Sequence, residues 1–382
     1  MSLNQVYITN TSIFLPNEPI SVDDMESYLG YINDTPSKSK KIVLRNNGIK
    51  TRYYALTKGG KATHTNAQMT ALAVKGLFAG EPDKIKELDL LSCGTSSPDQ
   101  MMPSHGVMTH GWLPESNPIE VVSPSGVCCA GMHAFKYAYM AVKIGDARLA
   151  AATGSERFSG SLVSDAFEEE AQKLIELQKN PFIAFEKEFL RWMLSDGAAA
   201  FLLSDKQNEK GLSLRVDWIE GASYANEMEA CMYMASEKQP DGTLKSYMDF
   251  TPEEIMTKSI LSIKQDIKLL SDNIVPLGGK RIKEIFQKRG HTAEEVDYFL
   301  PHISSEFFKS KIFEVMEQYG EGIPYEKWFL NLSTMGNVGA ASAYLMVHEL
   351  FHSGRLKKGE KLLLLVPESG RFSYMYAMLT VC

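Results

Sequence analysis

Hydrophobic and polar positions along the chain follow two rhythms. Short apolar runs, Leu88-Asp89-Leu90-Leu91-Ser92-Cys93-Gly94, Ile119-Glu120-Val121-Val122 and Arg148-Leu149-Ala150-Ala151-Ala152-Thr153-Gly154, read as buried strands. Between them lie longer stretches with helical spacing, such as Met132 to Ile144. Strands alternating with helices predict an α/β architecture whose sheets are covered on their faces.

The second half echoes the first. Glu87-Leu88-Asp89-Leu90-Leu91 is answered by Glu295-Val296-Asp297-Tyr298-Phe299, and Ser96-Ser97 by Ser304-Ser305. The same spacing carries Gly94 to His302 and Cys129 to Asn337, and a slightly longer one carries Arg157-Phe158-Ser159 to Arg371-Phe372-Ser373. Several matches in one order predict two copies of a unit packed about a pseudo-twofold axis. The boundaries expected are 1–205 and 206–382. Like halves place equivalent loops face to face, so Cys129, His302 and Asn337 are expected to converge. The charged segment 167–193 has no counterpart and reads as an inserted helical excursion. It is either a solvated surface helix or a lid or dimer contact that shapes a channel.

Composition narrows the class. The chain has 382 residues, 44% hydrophobic and 23% charged, as in globular proteins. A net charge of −7 disfavours nucleic acid as a partner. No run is long enough to span a membrane, and MSLNQVYITN lacks the charged and apolar regions of a secretory signal. Cys93, Cys128, Cys129, Cys231 and Cys382 are odd in number and hold no zinc-type spacing, so no metal site is expected and a reducing, cytoplasmic setting fits.

Chemistry concentrates in Gly126-Val127-Cys128-Cys129-Ala130-Gly131-Met132-His133, which opens a buried helix. A thiol there meets unpaired N–H groups and the positive end of the helix dipole, which favour the thiolate. Small residues on both sides leave room for a carbonyl. The competing reading is a buried cysteine that packs as a small hydrophobe.

These residues resemble the thiolase superfamily, and most closely β-ketoacyl-acyl-carrier-protein synthase III. Cys128-Cys129-Ala130-Gly131 is similar to the family's nucleophile motif and selects Cys129. Leu194-Ser195-Asp196-Gly197-Ala198 resembles its G-D-G-A segment, Leu300-Pro301-His302 its P-H-Q-A-N motif, and Gly336-Asn337-Val338-Gly339-Ala340-Ala341-Ser342 its G-N-T-S-A-A-S. Departures exist: His302 is followed by Ile303-Ser304-Ser305, and the C-terminal Gly-Gly-Gly loop is here Glu368-Ser369-Gly370-Arg371. Lys41 stands where the family commonly has a tryptophan for coenzyme A.

The resemblance implies a five-layer α-β-α-β-α fold with helices sandwiched by mixed sheets. It implies acyl transfer to Cys129 and then Claisen condensation with a malonyl or β-oxoacyl thioester, aided by His302 and Asn337. The backbone N–H groups of Cys129 and the Gly370 region would form an oxyanion hole. No cofactor is implied beyond acyl thioesters of acyl-carrier protein or coenzyme A, with Lys41 and Arg45 available to the carrier. A homodimer is expected. The N-terminal stretch, the insertion and the Pro367-Glu368-Ser369-Gly370-Arg371 ending look most like ketosynthases of dialkylresorcinol-type aryl-lipid pathways. Two other functions stay open: acyl transfer from Cys129 to an alcohol or amine, and a non-catalytic partner subunit of another ketosynthase.

Overall fold

The computed structural model describes residues 3–37, 40–164 and 190–382. Nine strands form one mixed sheet: β1 (Tyr7–Phe14), β2 (Leu90–Thr95), β3 (Glu120–Val122), β4 (Leu149–Glu156), β5 (Gly197–Ser204), β6 (Leu214–Ser223), β7 (Tyr298–Pro301), β8 (Lys361–Glu368) and β9 (Ser373–Val381). Their order is β7-β8-β9-β6-β1-β5-β4-β2-β3. The middle of this sheet is thin. β1 and β6 pair only through Tyr7 with Arg215 and Ile8 with Leu214.

On either side of that seam the topology repeats. β2 runs parallel to β4, and β4 antiparallel to β5; β7 runs parallel to β8, and β8 antiparallel to β9. Leu90 faces Ala150 as Tyr298 faces Leu362. Even the outer pairing has an echo: β2 pairs with β3, and Phe299 bridges Trp328. The strands start and stop within two residues of the sequence expectation. The helix expected from Met132 begins a turn earlier, at Cys129.

Two helices lie in the middle of the molecule, α2 (Cys129–Ile144) and α5 (Ser342–His352). Their buried side chains share one core with strands of both halves. Phe135 of α2 packs edge-on against Phe201, which stacks on Tyr344 of α5 at 4.0 Å. The Tyr344 hydroxyl donates to the Gly131 carbonyl at 2.7 Å, so a polar tip buried in the core has its partner. Helix α1 (Asn66–Gly76) covers the outer face of the first half, and α3 (Ile267–Arg289) and α4 (Phe307–Gln318) that of the second. The layers are therefore α-β-α-β-α, the thiolase-like arrangement the sequence leads one to expect.

Strands covered on both faces read as continuous apolar runs, and here the residues are also small. β4 and β5 carry Ala150–Ala152 and Ala198–Ala200, all buried. Ala150, Ala152 and Ala199 face the central layer and Ala151, Ala198 and Ala200 the outer one, and the central layer comes very close. A Cβ added at Gly154 would lie 2.2 Å from the Ala340 carbonyl oxygen, and one at Gly131 would meet the same atom at 2.2 Å. Both obstacles are backbone, so relief requires moving a layer. We expect Gly154→Ala to destabilise the fold by about 2–3 kcal/mol, the upper range for overpacking, as read by urea unfolding.

The insertion expected at 167–193 lies outside the described residues up to position 189. Its last residues are described and buried. The Arg191 guanidinium donates to the carbonyls of Leu162, Leu29 and Gly30, and Trp192 is fully covered.

Candidate active site

Each half delivers its residues to one cleft through a different device. Cys129 is the first residue of α2, with Cys128 at the N-cap. His302 directly follows β7, and its N–H continues the parallel ladder to the Leu365 carbonyl at 2.7 Å. Asn337 sits in a loop clamped by the segment before β5. Its N–H donates to the Met193 carbonyl at 3.2 Å, and the Ser195 N–H donates to its carbonyl at 2.9 Å. Gly336 has φ +72°, and a Cβ there would come within 2.8 Å of the Ser195 Cβ. The Leu194-Ser195-Asp196 segment thus holds Asn337 in place. Asp196 is itself pinned by Ser159 and by the Ala55 N–H.

The cleft encloses about 930 Å³ of non-atom space, its open mouth included. Cys128, His302 and Asn337 all line it. Cys129 lies just behind that wall: its sulfur is fully buried and donates to the Val366 carbonyl at 3.3 Å. Most of the remaining wall is apolar; α3 and α4 contribute Leu270, Ile274, Ile312, Val315 and Met316 to it. Tyr374 and Tyr376 of β9 hold α3 against the sheet by donating to the Ile274 and Gly278 carbonyls at 2.8 and 2.9 Å.

The polar groups are set up as a donor pair. Asn337 Oδ1 accepts the Gly339 N–H at 3.0 Å. That bond fixes the amide orientation and leaves the NH₂ group as the outward donor. Burial lowers the His302 pKa to about 4, so its imidazole is neutral at neutral pH. A neutral ring offers one donor and one acceptor.

The thiol departs from expectation. The helix N-terminus was expected to favour the Cys129 thiolate, but burial and then the Glu368 carboxylate push the thiol well above its usual range. The cause is visible. Glu368 Oε2 accepts the N–H of Cys129 at 3.0 Å and that of Val127 at 2.9 Å. The expected oxyanion donor is therefore already engaged by an anion. Gly370 lies beside this carboxylate: a Cβ added there would sit 3.4 Å from Glu368 Oε1.

A second carboxylate was also missed. Glu156, at the end of β4, accepts Ser96 Oγ at 2.7 Å, Ser97 Oγ at 2.6 Å and the Ala340 N–H at 3.1 Å. Burial pushes it up to about 7 against those donors. It ties the Ser96-Ser97 loop to the turn that follows Asn337. These bonds correct the internal echo. Glu368 holds Cys129 as Glu156 holds Ala340, so the counterpart of Cys129 is Ala340 and not Asn337. Both equivalent strands end in Glu, but nothing in the sequence marks either carboxylate as buried.

Lys41 and Arg45 are exposed on the short helix Lys40–Asn47 and do not line the cleft. Their neighbour Lys40 is paired with Glu26 at 3.0 Å, and Lys38 lies outside the described residues. No group of histidine, cysteine and carboxylate side chains suited to a metal occurs among the described residues. No described helix is long and apolar enough to cross a membrane.

Comparison with known proteins agrees with this fold. Residues 286–374 match the family model for the C-terminal part of 3-oxoacyl-[acyl-carrier-protein] synthase III. A β-ketoacyl-[acyl-carrier-protein] synthase III of Deinococcus radiodurans is 24% identical over 365 residues, covering 95% of this chain and 90% of that protein. The corresponding protein of Neisseria gonorrhoeae is 24% identical over 359 residues, 94% of this chain and 93% of its own. Among solved structures, the tetronic acid condensing enzyme AbyA1 superposes with a TM-score of 0.76 at 18% identity, covering 99% of this chain and 100% of that one. A variant of Xanthomonas campestris OleA gives 0.73 at 17% identity, with full coverage of both chains.

Proposed function

This chain is a β-ketoacyl-acyl-carrier-protein synthase III-like protein of the thiolase fold, and from that premise we propose that it is a condensing enzyme that loads an acyl group on Cys129 and extends it by Claisen condensation. The observation that carries the reading is one cleft lined by His302, Asn337 and Cys128, the N-cap of α2, with Cys129 directly behind it and an apolar wall continuous with it.

Cys129 attacks an acyl thioester, and its sulfur takes the acyl group while the carrier thiol leaves. The acyl chain has a natural seat against Leu270, Ile274, Ile312 and Met316. A malonyl or β-oxoacyl thioester then becomes an enolate, by loss of carbon dioxide or of a proton. Its negative oxygen meets the Asn337 NH₂ and the His302 imidazole, two uncharged donors held in place by backbone bonds. The enolate carbon attacks the acyl carbonyl and frees the Cys129 sulfur. The products are β-oxoacyl units for fatty-acid or aryl-lipid synthesis.

Acyl-carrier protein is the proposed donor, with Lys41 and Arg45 as surface contacts for its acidic face. Strand β3 is one of the two edges of the sheet, and a homodimer formed by pairing two such β3 edges is the proposed assembly.

The test is intact-protein mass after mixing with acyl thioesters, followed by product analysis with a malonyl donor. Loading and chain extension support the reading. Transfer to an alcohol or amine, or no adduct at any chain length, overturns it. The apolar wall supplies a sharper check. Ile312→Trp fills part of the chain seat. Excluding two methylenes, at about 0.8 kcal/mol each, lowers kcat/KM about 15-fold for a long acyl donor and leaves a four-carbon donor unaffected.

A further inference from the structure

Glu156 and Glu368 occupy the same position in the two halves. Each is the last residue of an eight-residue strand, and each pairs with the first residue of the next strand, Gly197 or Ser373. Each reaches across to the other half, Glu156 to the turn before α5 and Glu368 to the first residue of α2. Glu156 Oε1 accepts the N–H of Ala340, and Glu368 Oε2 accepts the N–H of Cys129.

Their surroundings differ in one respect. Glu156 has donors on both oxygens: the N–H and Oγ of Ser96, Oγ of Ser97, Oγ1 of Thr95 and the Ala340 N–H. Glu368 has two backbone donors, both on Oε2, and Oε1 has no donor among the described residues. Glycines flank it: added Cβ atoms at Gly126 and Gly370 would lie 3.3 and 3.4 Å from its oxygens. One carboxylate is held through both oxygens, and its twin through one.

We propose that Glu368 is a resident anion in the oxyanion site of Cys129, which it fills in the unloaded protein and vacates when an acyl carbonyl arrives. The proposal rests on the acyl-transfer reading above. A carboxylate oxygen and a tetrahedral oxyanion use the same donor, the Cys129 N–H, so only one is bound at a time. The exchange breaks and forms hydrogen bonds only. While Glu368 is seated, its charge opposes the thiolate, and the nucleophile stays protonated until a substrate takes the place of the carboxylate.

The test reads the thiol without any thioester. Cys129 alkylation by iodoacetamide is followed by intact mass and peptide mapping from pH 6 to 11, in the wild type, Glu368→Gln, Glu368→Gly and Glu156→Gln. The groups that act on Cys129 are Glu368, Cys128 and the hydroxyls of Tyr374 and Tyr376, while Cys128 also feels Glu156 and His133 feels Glu368. Only the Glu368 changes remove a negative charge bound at the Cys129 N–H. Both are expected to shift the alkylation midpoint down by at least one pH unit and to speed alkylation at pH 7.5 about tenfold. Glu156→Gln leaves the midpoint in place. First-turnover acylation by decanoyl-pantetheine is expected to rise about tenfold in Glu368→Gly. An unmoved midpoint in the folded variants, or slower acylation, overturns the role of Glu368. A shifted midpoint with no acyl adduct in any variant overturns the acyl-transfer reading and the exchange with it. A wild-type adduct with an unmoved midpoint overturns the exchange alone.

Discussion

Cys129→Ala is expected to take up no acyl group and to lose condensation by on the order of 10⁴-fold or more, the scale seen when a covalent nucleophile is removed. Cys128→Ala is expected to load normally and to turn over within about tenfold of wild type. The contrast is needed because the two thiols are adjacent, and Cys128 is the one that lines the cleft. Position on the helix separates them. Cys129 is the first helical residue, and its N–H is bound by an anion at 3.0 Å, which shows that a negative oxygen fits beside it. Cys128 is the N-cap, with no side-chain bond to the helix. Its thiol is raised by burial, then by Glu368 and Glu156. Intact mass and peptide mapping after exposure to decanoyl-pantetheine decide the matter. An adduct on Cys128, or one that survives in Cys129→Ala, sinks the assignment.

Much of the fold could be read from the chain because its signals are local. Runs such as Leu149–Ala152 are apolar at consecutive positions, the pattern of a strand buried between two helix layers. Cys129 could be read for a similar reason, since a thiol flanked by Gly126, Ala130 and Gly131 at the start of an apolar helix is unusual in sequence. Glu156 and Glu368 could not. A glutamate at a strand end looks solvated until the partner half is packed against it, and its donors come from residues far away in the chain. The same distance misled the echo. Equal spacing in sequence matched Cys129 with Asn337, whereas hydrogen bonding matches it with Ala340, because the connections between strand and helix differ in length in the two halves. Asn337 instead gained its place from Met193 and Ser195, through backbone bonds that no side-chain pattern announces.

The resting electrostatics are the reverse of what an isolated helix N-terminus would give. A dipole end favours whichever negative group is nearest, and here that group is a carboxylate. One positive end serves one anion at a time. Acyl transfer at Cys129 is therefore coupled to what occupies its N–H, and the thiol's reactivity belongs to the pair Cys129 and Glu368.

His302→Ala and Asn337→Asp are expected to separate the two half-reactions. Neither side chain is bonded to the Cys129 sulfur, which donates to the Val366 carbonyl, so acyl loading is expected to stay within about threefold. Condensation is expected to fall about 100- to 1,000-fold in each, the scale for losing one donor to a developing oxyanion. Asn337→Asp should be the worse of the two, because it sets a carboxylate where the enolate oxygen must sit. The double variant is expected to lose less than the product of the single effects, since both donors serve one oxygen. The pH profile tests His302 separately. Burial holds its pKa at about 4, well below the ordinary value. The neutral ring is then fully present above pH 5 and is lost only as pH falls through 4, so condensation should show no inflection near 6.5. Single-turnover rates of loading and of extension, measured from pH 4.5 to 8.5 in wild type and both variants, check every part. Equal loss of both steps in either variant, or a wild-type inflection near 6.5 that disappears in His302→Ala, removes these residues from the roles given to them.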